Sequence, residues 1–405
     1  MTPVTVSAAS PLVEVERAVQ ERAKQLNIDM TTPDGRERLQ ALITEELAVW
    51  HREYERGRRA FDVADPETVA ERAWRNLTGY GPLEPLLADP DVWEVMINAP
   101  TSIFCKRHSG RNGYHDEVFH DDEHVMRTLT KMLDDATRSH RKLDPAEGLQ
   151  DAQLDSGARL HIVHGDIARD GHVLVNIRKF TGVAYTRLSE LVARDMFDDT
   201  VSRLLKACVR SGLSLLVSGA PGSGKTTLLS CLAAELEPHL RVVVAEEVFE
   251  TDVEIPNVAH MQTRPARADR KEIDLRRLVS GFLRMAPDVA VVGEVRDREA
   301  LPLLMTLSSG VQGFTTIHSG SARQALSRLR FICQLADVST QLTLPALSAL
   351  VSDAIDVVVH CTRQGGVPRV SEVLAVEDLQ VAAGGVAFTT TSLFARPRHD
   401  APMVW

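Results

Sequence analysis

"LLVSGAPGSGKTTLLSCL", residues 215–232, runs from an apolar strand through a glycine-rich turn into the start of a helix. Within it Gly219, four further residues, and then Gly224, Lys225 and Thr226 give the spacing G-x-x-x-x-G-K-T, in the strand-then-helix context that this spacing requires. Gly219, Gly222 and Gly224 can take backbone angles closed to other residues. Successive N–H groups, including that of Ser223, can therefore turn inward around a phosphate at the N-terminus of the following helix. Lys225 adds a point charge toward the β- and γ-phosphates, Thr226 a hydroxyl for Mg²⁺, and Thr227 continues the cradle into the helix. A glycine-rich turn of some other α/β protein would not bring strand, spacing, Lys-Thr and helix together, so a nucleotide, ATP with Mg²⁺, is the expected ligand.

Outward from this loop, "RVVVAEE" (241–247), "DVAVVGE" (288–294) and "GFTTIH" (313–318) are further apolar strands alternating with helical stretches. The expected fold class is α/β: a P-loop domain with a parallel-sheet core over 201–405. Before it, "GYGPLEPLLADPDVWEVMIN" and "GARLHIVHGDIARDGHVLVNIRKF" mix glycine and proline turns with short strands, which predicts a smaller mixed α+β domain over 79–180. Residues 1–75 carry apolar residues at helical spacing and predict a helical N-terminal segment. Residues 181–200 are expected to link the last two parts.

The 405 residues, 44% hydrophobic, suffice for two or three cores. A net charge of −10 disfavours nucleic acid as the main partner. Cys105, Cys208, Cys231, Cys333 and Cys361 form no C-x-x-C pair, against a disulfide framework or zinc site. The N-terminus has no basic start with an apolar core of signal-peptide length, and no run approaches a membrane span; a cytoplasmic protein with only peripheral membrane contact is expected. His161 and His164 in "HIVH" fall on opposite strand faces and read as ordinary surface histidines.

Hydrolysis needs a carboxylate near the γ-phosphate and its attacking water. Glu294 ends the strand 289–292 at the carboxyl edge of the sheet, where the loop also lies, and Glu246-Glu247 end another strand in the same way. One of these orients or deprotonates the water while Glu294 holds the metal's water shell, or the roles are reversed. With Gly293 in place of an acid, Thr226 and waters carry more of the metal's coordination. His318 stands at a third strand end, where an imidazole can report on the γ-phosphate. The basic run Arg264, Arg267, Arg270, Lys271, Arg276 and Arg277 is interleaved with Asp269, Glu272 and Asp274, so it reads as a subunit contact rather than a nucleic-acid stripe.

These blocks together resemble the ATPases of type II and type IV secretion systems, in particular the Tad/CpaF-type branch that powers pilus assembly. The resemblance runs from "GYGPLEPLLADPDVWEVMIN" through "LDSGARLHIV", "NIRKF", "GAPGSGKTT", "AEEVFE", "LRMAPDVAVVGEVRDREAL" and "GVQGFTTIH" to "DAIDVVVHC". It implies a RecA-like motor domain in which Lys225 and Thr226 bind ATP and Mg²⁺, Glu246 and Glu294 act in hydrolysis and His318 senses nucleotide state. It also implies that Arg178 reaches nucleotide from the preceding domain and that Arg264 and Arg296 belong to the motor's charged network. The chain departs from the family pattern at Glu247, Val311 and His260. The implied assembly is a homo-oligomeric ring, a hexamer, docked on inner-membrane platform proteins. Two other readings stand beside it: a conjugation or DNA-transfer motor of the same superfamily, and a slow nucleotide-dependent switch or scaffold.

Overall fold

The chain divides into two units, Met1–Thr181 and Gly182–Trp405; the computed structural model describes residues 10–29, 32–108, 111–136, 142–179, 185–251, 253–264, 271–336, 342–382 and 385–405.

The first unit opens with three helices, α1 (Pro11–Gln25), α2 (Pro33–Glu55) and α3 (Pro66–Thr78). Each carries proline in its first turn, where the missing N–H has no intrahelical partner to lose. The threonine before α2 and the aspartate before α3 cap them: Thr32 Oγ1 accepts from the Gly35 N–H at 3.1 Å and Asp65 Oδ1 from that of Thr68 at 3.0 Å. Val19, Leu39, Ile43 and Trp50 fill the space between the helices. There follow α4 (Glu84–Ala88), β1 (Val92–Ala99), β2 (Ser102–Arg107), β3 (Gly113–Tyr114), α5 (Asp122–Asp135), β4 (Leu149–Gln153), β5 (Arg159–Val163) and β6 (Leu174–Arg178). The strands form an antiparallel sheet in the order β3-β2-β1-β6-β5-β4. Its inner face, with Val95, Ile97, Leu160 and Ile177, shares a core with Val125, Leu129 and Met132 of α5. The helical segment is tied to this part through Glu16 of α1, which accepts from Asn76 Nδ2 at 2.7 Å and lies 2.9 Å from His120 Nε2. Of the two histidines expected at the surface, only one is there. His161 is exposed beside Asp151, 2.7 Å away, but His164 is buried, because the odd spacing turns it to the covered face.

In the second unit the elements are α6 (Leu188–Ala193), α7 (Asp199–Arg210), β7 (Leu215–Gly219), α8 (Lys225–Ala233), β8 (Val242–Glu246), β9 (Val258–Gln262), α9 (Leu275–Val279), β10 (Val289–Val292), α10 (Ala300–Leu307), β11 (Gln312–Ile317), α11 (Ala322–Ala336), α12 (Leu344–Ala354), β12 (Val357–Gln364), β13 (Val367–Val376), β14 (Gln380–Ala382), β15 (Gly385–Ala387) and β16 (Thr390–Ala395). The main sheet has the order β16-β13-β12-β7-β11-β10-β8-β9. From β12 to β9 all pairings are parallel, and β13 and β16 add antiparallel strands at one edge. Helices cover both faces, which is why the central strands read as unbroken apolar runs. Val217, Val244 and Val291 share a core with Val201 and Leu205 of α7 and Leu228 and Leu232 of α8. Leu216, Val243 and Val292 belong to the core of the other face, with Leu304 of α10, Leu329 of α11 and Val351 of α12. Part of the stretch expected as a linker is built into this unit, since Leu188, Leu191, Met196 and Phe197 are buried in the first of these cores. The parallel arrangement sends the carboxyl ends of β7, β11, β10 and β8 to one edge, as expected of a RecA-like sheet.

Candidate functional site

The loop between β7 and α8 turns where only glycine turns easily. Gly222 and Gly224 have φ of 71° and 90°, and a Cβ on Gly219 would meet the Cys361 carbonyl oxygen at 2.2 Å. Three donors converge on the Ala220 carbonyl: the Ser223 N–H at 3.3 Å, Ser223 Oγ at 2.8 Å and Lys225 Nζ at 3.0 Å. Lys225 is the first residue of α8 and is buried, and Thr226 and Thr227 follow it, half-buried, in the first turn. The loop thus gathers backbone N–H groups, a helix N-terminus and an ammonium group within a few residues, the equipment of an anion cradle.

From Lys225 a row of charged and polar side chains crosses the carboxyl edge of the sheet. Lys225 Nζ lies 3.1 Å from His318 Nδ1, just past the end of β11. On the other side of the same ring, His318 Nε2 lies 2.8 Å from Glu294 Oε1, two residues past β10. Nδ1 also lies 3.2 Å from the Gly219 carbonyl, so the ring stands between the phosphate loop and the glutamate. Oε1 is buried beside this imidazole. Glu294 Oε2 accepts from Arg296 Nη2 at 2.9 Å, and Arg296 Nη1 donates to Glu247 Oε2 at 2.9 Å. Glu299 holds the backbone of this turn, its Oε1 accepting from the N–H groups of Arg296 and Asp297 at 2.5 and 2.9 Å. Burial opposes the Glu294 charge, but contact with His318 and Arg296 outweighs it and holds the carboxyl well below its usual range. Arg296 is correspondingly held above its ordinary value, first by its hydrogen bond to Glu294.

Glu246, at the end of β8, is in the opposite electrostatic position. Its side chain is 2% exposed. Its Oε1 accepts from the Thr251 N–H (2.8 Å), Thr251 Oγ1 (2.7 Å) and the Glu250 N–H (3.1 Å), whereas Oε2 is buried with no hydrogen-bond partner. Burial pushes this carboxyl up to about 7 in spite of the three donors. It also explains the glycine before Glu294: a Cβ at Gly293 would come within 3.0 Å of Glu246 Cγ. Two neighbouring strand ends therefore carry one glutamate held ionised and one whose proton is exchangeable near neutrality, the separation of pKa values expected of divided acid–base roles.

Of the other residues singled out in the sequence, Arg178 ends β6 of the first unit, opposite Glu94 and Arg159. Arg264 forms a backbone bridge with Ile273, and its Nη2 donates to the Lys271 carbonyl at 3.2 Å. Arg267, Asp269 and Arg270 of the basic run lie outside the described residues. Two residues of β12 that sequence reasoning passed over reach β7 and the loop after it. His360, buried, lies with Nδ1 2.9 Å from Ser218 Oγ, and Arg363 Nη1 donates to the Gly222 carbonyl at 3.0 Å. The pairing is parallel and more than 140 residues apart in sequence, so no local pattern announces it.

Among the described residues no cluster of three or more His, Cys, Asp or Glu side chains is arranged to hold a metal ion. Mg²⁺ at a phosphate site is held by few protein oxygens and several waters. The Thr226 hydroxyl in the first turn of α8 and the Glu294 carboxylate, whose charge is favoured by its neighbours, suit that mode, so the residues present fit the ion.

A glycine-rich phosphate loop joining a parallel strand to a helix, with glutamates at neighbouring strand ends, places the second unit in the P-loop class with a RecA-like sheet. The chain belongs to the type II/IV secretion system protein family, whose model matches residues 76–364. A putative conjugal transfer protein of Mycobacterium tuberculosis is 31% identical over 313 residues, 75% of this chain and 86% of that protein. The type IV secretion system protein PtlH of Bordetella pertussis is 29% identical over 312 residues, 70% of this chain and 89% of its own length. Among solved structures, the VirB11 ATPase of the Brucella suis type IV secretion system, in complex with sulphate, is 26% identical with a TM-score of 0.40, covering 72% of this chain and 91% of that one. No helix among the described residues is long and apolar enough to cross a membrane.

Proposed function

We propose that the chain hydrolyses ATP to ADP and phosphate, with Mg²⁺, at the carboxyl edge of the second unit's sheet, and that it works as a ring motor for pilus assembly of the Tad or type IV kind, or for protein secretion, at the cytoplasmic membrane. The observation that carries this reading is the unbroken row Lys225, His318, Glu294, Arg296, Glu247, which connects the phosphate loop to a carboxylate held ionised two strands away.

In this reading Lys225 and the N–H groups from Gly222 to Thr227 bind the phosphates, and Lys225 exchanges its present contacts with Ala220 and His318 for phosphate oxygens. Mg²⁺, when bound beside the Thr226 hydroxyl, neutralises charge on the phosphates. Glu294, fixed through Oε2 by Arg296, presents Oε1 to orient a water, while Glu246, with a pKa of about 7, takes that water's proton on Oε2. His318 touches the loop lysine on one side and the glutamate on the other, so it registers a change at either. Arg178 then serves the nucleotide site of its own or a neighbouring subunit, and Arg264 belongs with Arg296 to the motor's charged network, in a hexameric ring seated on inner-membrane platform proteins. A conjugation or other type IV secretion role is the second reading, favoured by the conjugal-transfer and PtlH relatives.

Phosphate release and binding of a fluorescent ADP test the chemistry together. Lys225→Ala is expected to abolish turnover with the fold retained, because the lost cation contacts the loop and not the core; Glu294→Gln is expected to keep binding and lose turnover by about a hundredfold or more. Hydrolysis by Lys225→Ala within a few-fold of wild type would overturn the reading.

A further inference from the structure

The main sheet places β12 beside β7 in parallel register, with Cys361 opposite Gly219. Two residues later on β12 stands Arg363, alongside the phosphate loop. Its guanidinium spans two backbone segments: Nη1 donates to the Gly222 carbonyl at 3.0 Å, and Nε to the Gly366 carbonyl, in the turn between β12 and β13, at 3.0 Å. The same hairpin lies close to the loop through Pro368, which a Cβ on Gly224 would approach at 3.5 Å. The group is half-buried, and burial alone draws its pKa below the ordinary arginine value.

The carbonyl of Gly222 and the N–H of Ser223 belong to one planar peptide and point in opposite directions. Drawing that carbonyl toward β12 therefore turns the Ser223 N–H away from β12, to the Ala220 carbonyl that Ser223 Oγ and Lys225 Nζ also reach. Gly222 itself, at φ 71°, has no side chain to restrict this plane. A rigid two-pronged donor can hold such a peptide; a single flexible ammonium group cannot hold both carbonyls in one plane.

We propose that Arg363 is a positioning residue of the phosphate loop, fixing from β12 the peptide plane that aims loop N–H groups at a diphosphate. The inference rests on the reading that this loop binds nucleotide. It makes the β12–β13 hairpin part of the site, and it states that the residue acts on the phosphates of the ligand through the loop and not on its base or sugar.

The test titrates the full chain with inorganic pyrophosphate and with ADP by calorimetry, for wild type, Arg363→Ala and Arg363→Lys. Arg363→Ala is expected to weaken both ligands by the same factor, about tenfold, as befits the loss of a charge-assisted hydrogen bond. Arg363→Lys is expected to recover only a small part of that loss, and in steady-state hydrolysis the KM for ATP should rise with kcat little changed. Weaker ADP binding with unchanged pyrophosphate binding would assign Arg363 to the base or sugar and overturn the proposal. So would full rescue by lysine, which would make the effect one of net charge, or unchanged affinity for both ligands. If Arg363→Ala melts far below wild type, Arg363→Lys decides alone, since it retains the stem and the charge. A wild-type chain that binds neither ligand would instead refute the nucleotide reading itself, whatever the variants do.

Discussion

Replacing Glu246 by glutamine should cost activity and remove a loss of stability that the wild-type chain suffers as pH rises. The usual carboxyl value of 4.5 rises to about 7 in the folded chain, chiefly through burial. Below 4.5 the proton is bound in folded and unfolded chains alike. Between 4.5 and about 7 the unfolded chain releases it while the folded chain keeps it, so rising pH opposes folding; above about 7 the loss is complete. Each pH unit of that window is worth about 1.4 kcal/mol, which makes about 3 kcal/mol in all. Glutamine cannot ionise, so Glu246→Gln is free of this term, although its amide leaves a buried donor where Oε2 now stands, at about 1–3 kcal/mol independent of pH. The clean quantity is therefore the difference between the two proteins as pH changes. Thermal melts in matched buffers at pH 5 and pH 8.5 should show wild type losing about 2–3 kcal/mol relative to the variant, roughly 5–10 °C for a unit of this size. In the same range wild-type kcat should rise with pH to a plateau above about 7, and the variant should show neither the activity nor the rise. A melting difference that stays constant from pH 5 to pH 8.5 would refute the reasoning, because it would mean that Glu246 is ionised throughout.

Two further outcomes are expected. Gly293→Ala puts a methyl group within 3.0 Å of Glu246 Cγ, so the glutamate must retreat by roughly half an ångström; kcat should fall about tenfold while ADP affinity, set on β7 and α8, stays within about twofold, and a variant with full turnover would show that the position of Glu246 is unimportant. Arg178→Ala and Glu294→Gln, each inactive alone, should partly restore activity when mixed into common rings if Arg178 acts across a subunit interface; a co-assembled mixture as inactive as its parents would exclude that trans role and leave the arginine acting in its own subunit or structural.

The parts of the site that were legible in the sequence are those written in contiguous residues. The loop from Gly219 to Thr227, and the glutamates and histidine that close the apolar runs 242–246, 289–292 and 312–317, are each announced by a strand and the turn residues after it. Arg178 and Arg264, by contrast, entered through family resemblance, because nothing in "NIRKF" or "QTRP" taken alone distinguishes a ligand-facing arginine from a surface one. What stayed hidden depends on parallel pairing across long separations. His360 and Arg363 meet β7 and the loop after it only because β12 lies next to β7, and the burial that lifts Glu246 arises from tertiary packing that no spacing rule encodes. The same limit explains His164, which read as a surface residue until the sheet that covers it was in place.

The order of strands gives the charged row a fixed pitch. Lys225 follows β7, His318 follows β11, Glu294 follows β10 and Glu247 follows β8, and these four strands are consecutive in the sheet. Neighbouring strands stand about 4.8 Å apart, a spacing set by backbone hydrogen bonds and therefore indifferent to sequence. The sheet is a ruler with one division, and each side chain in the row has to bridge a single division. Imidazole, with a nitrogen on each side of the ring, reaches both neighbours of β11 at once; asparagine or serine at 318, however polar, would fall short of one of them. The ruler also dictates where such a domain can grow. A strand inserted between β11 and β10 would double one interval and disconnect the lysine from the glutamate, whereas strands added outside the row leave every interval intact, and it is at that outer edge that β13 and β16 are attached.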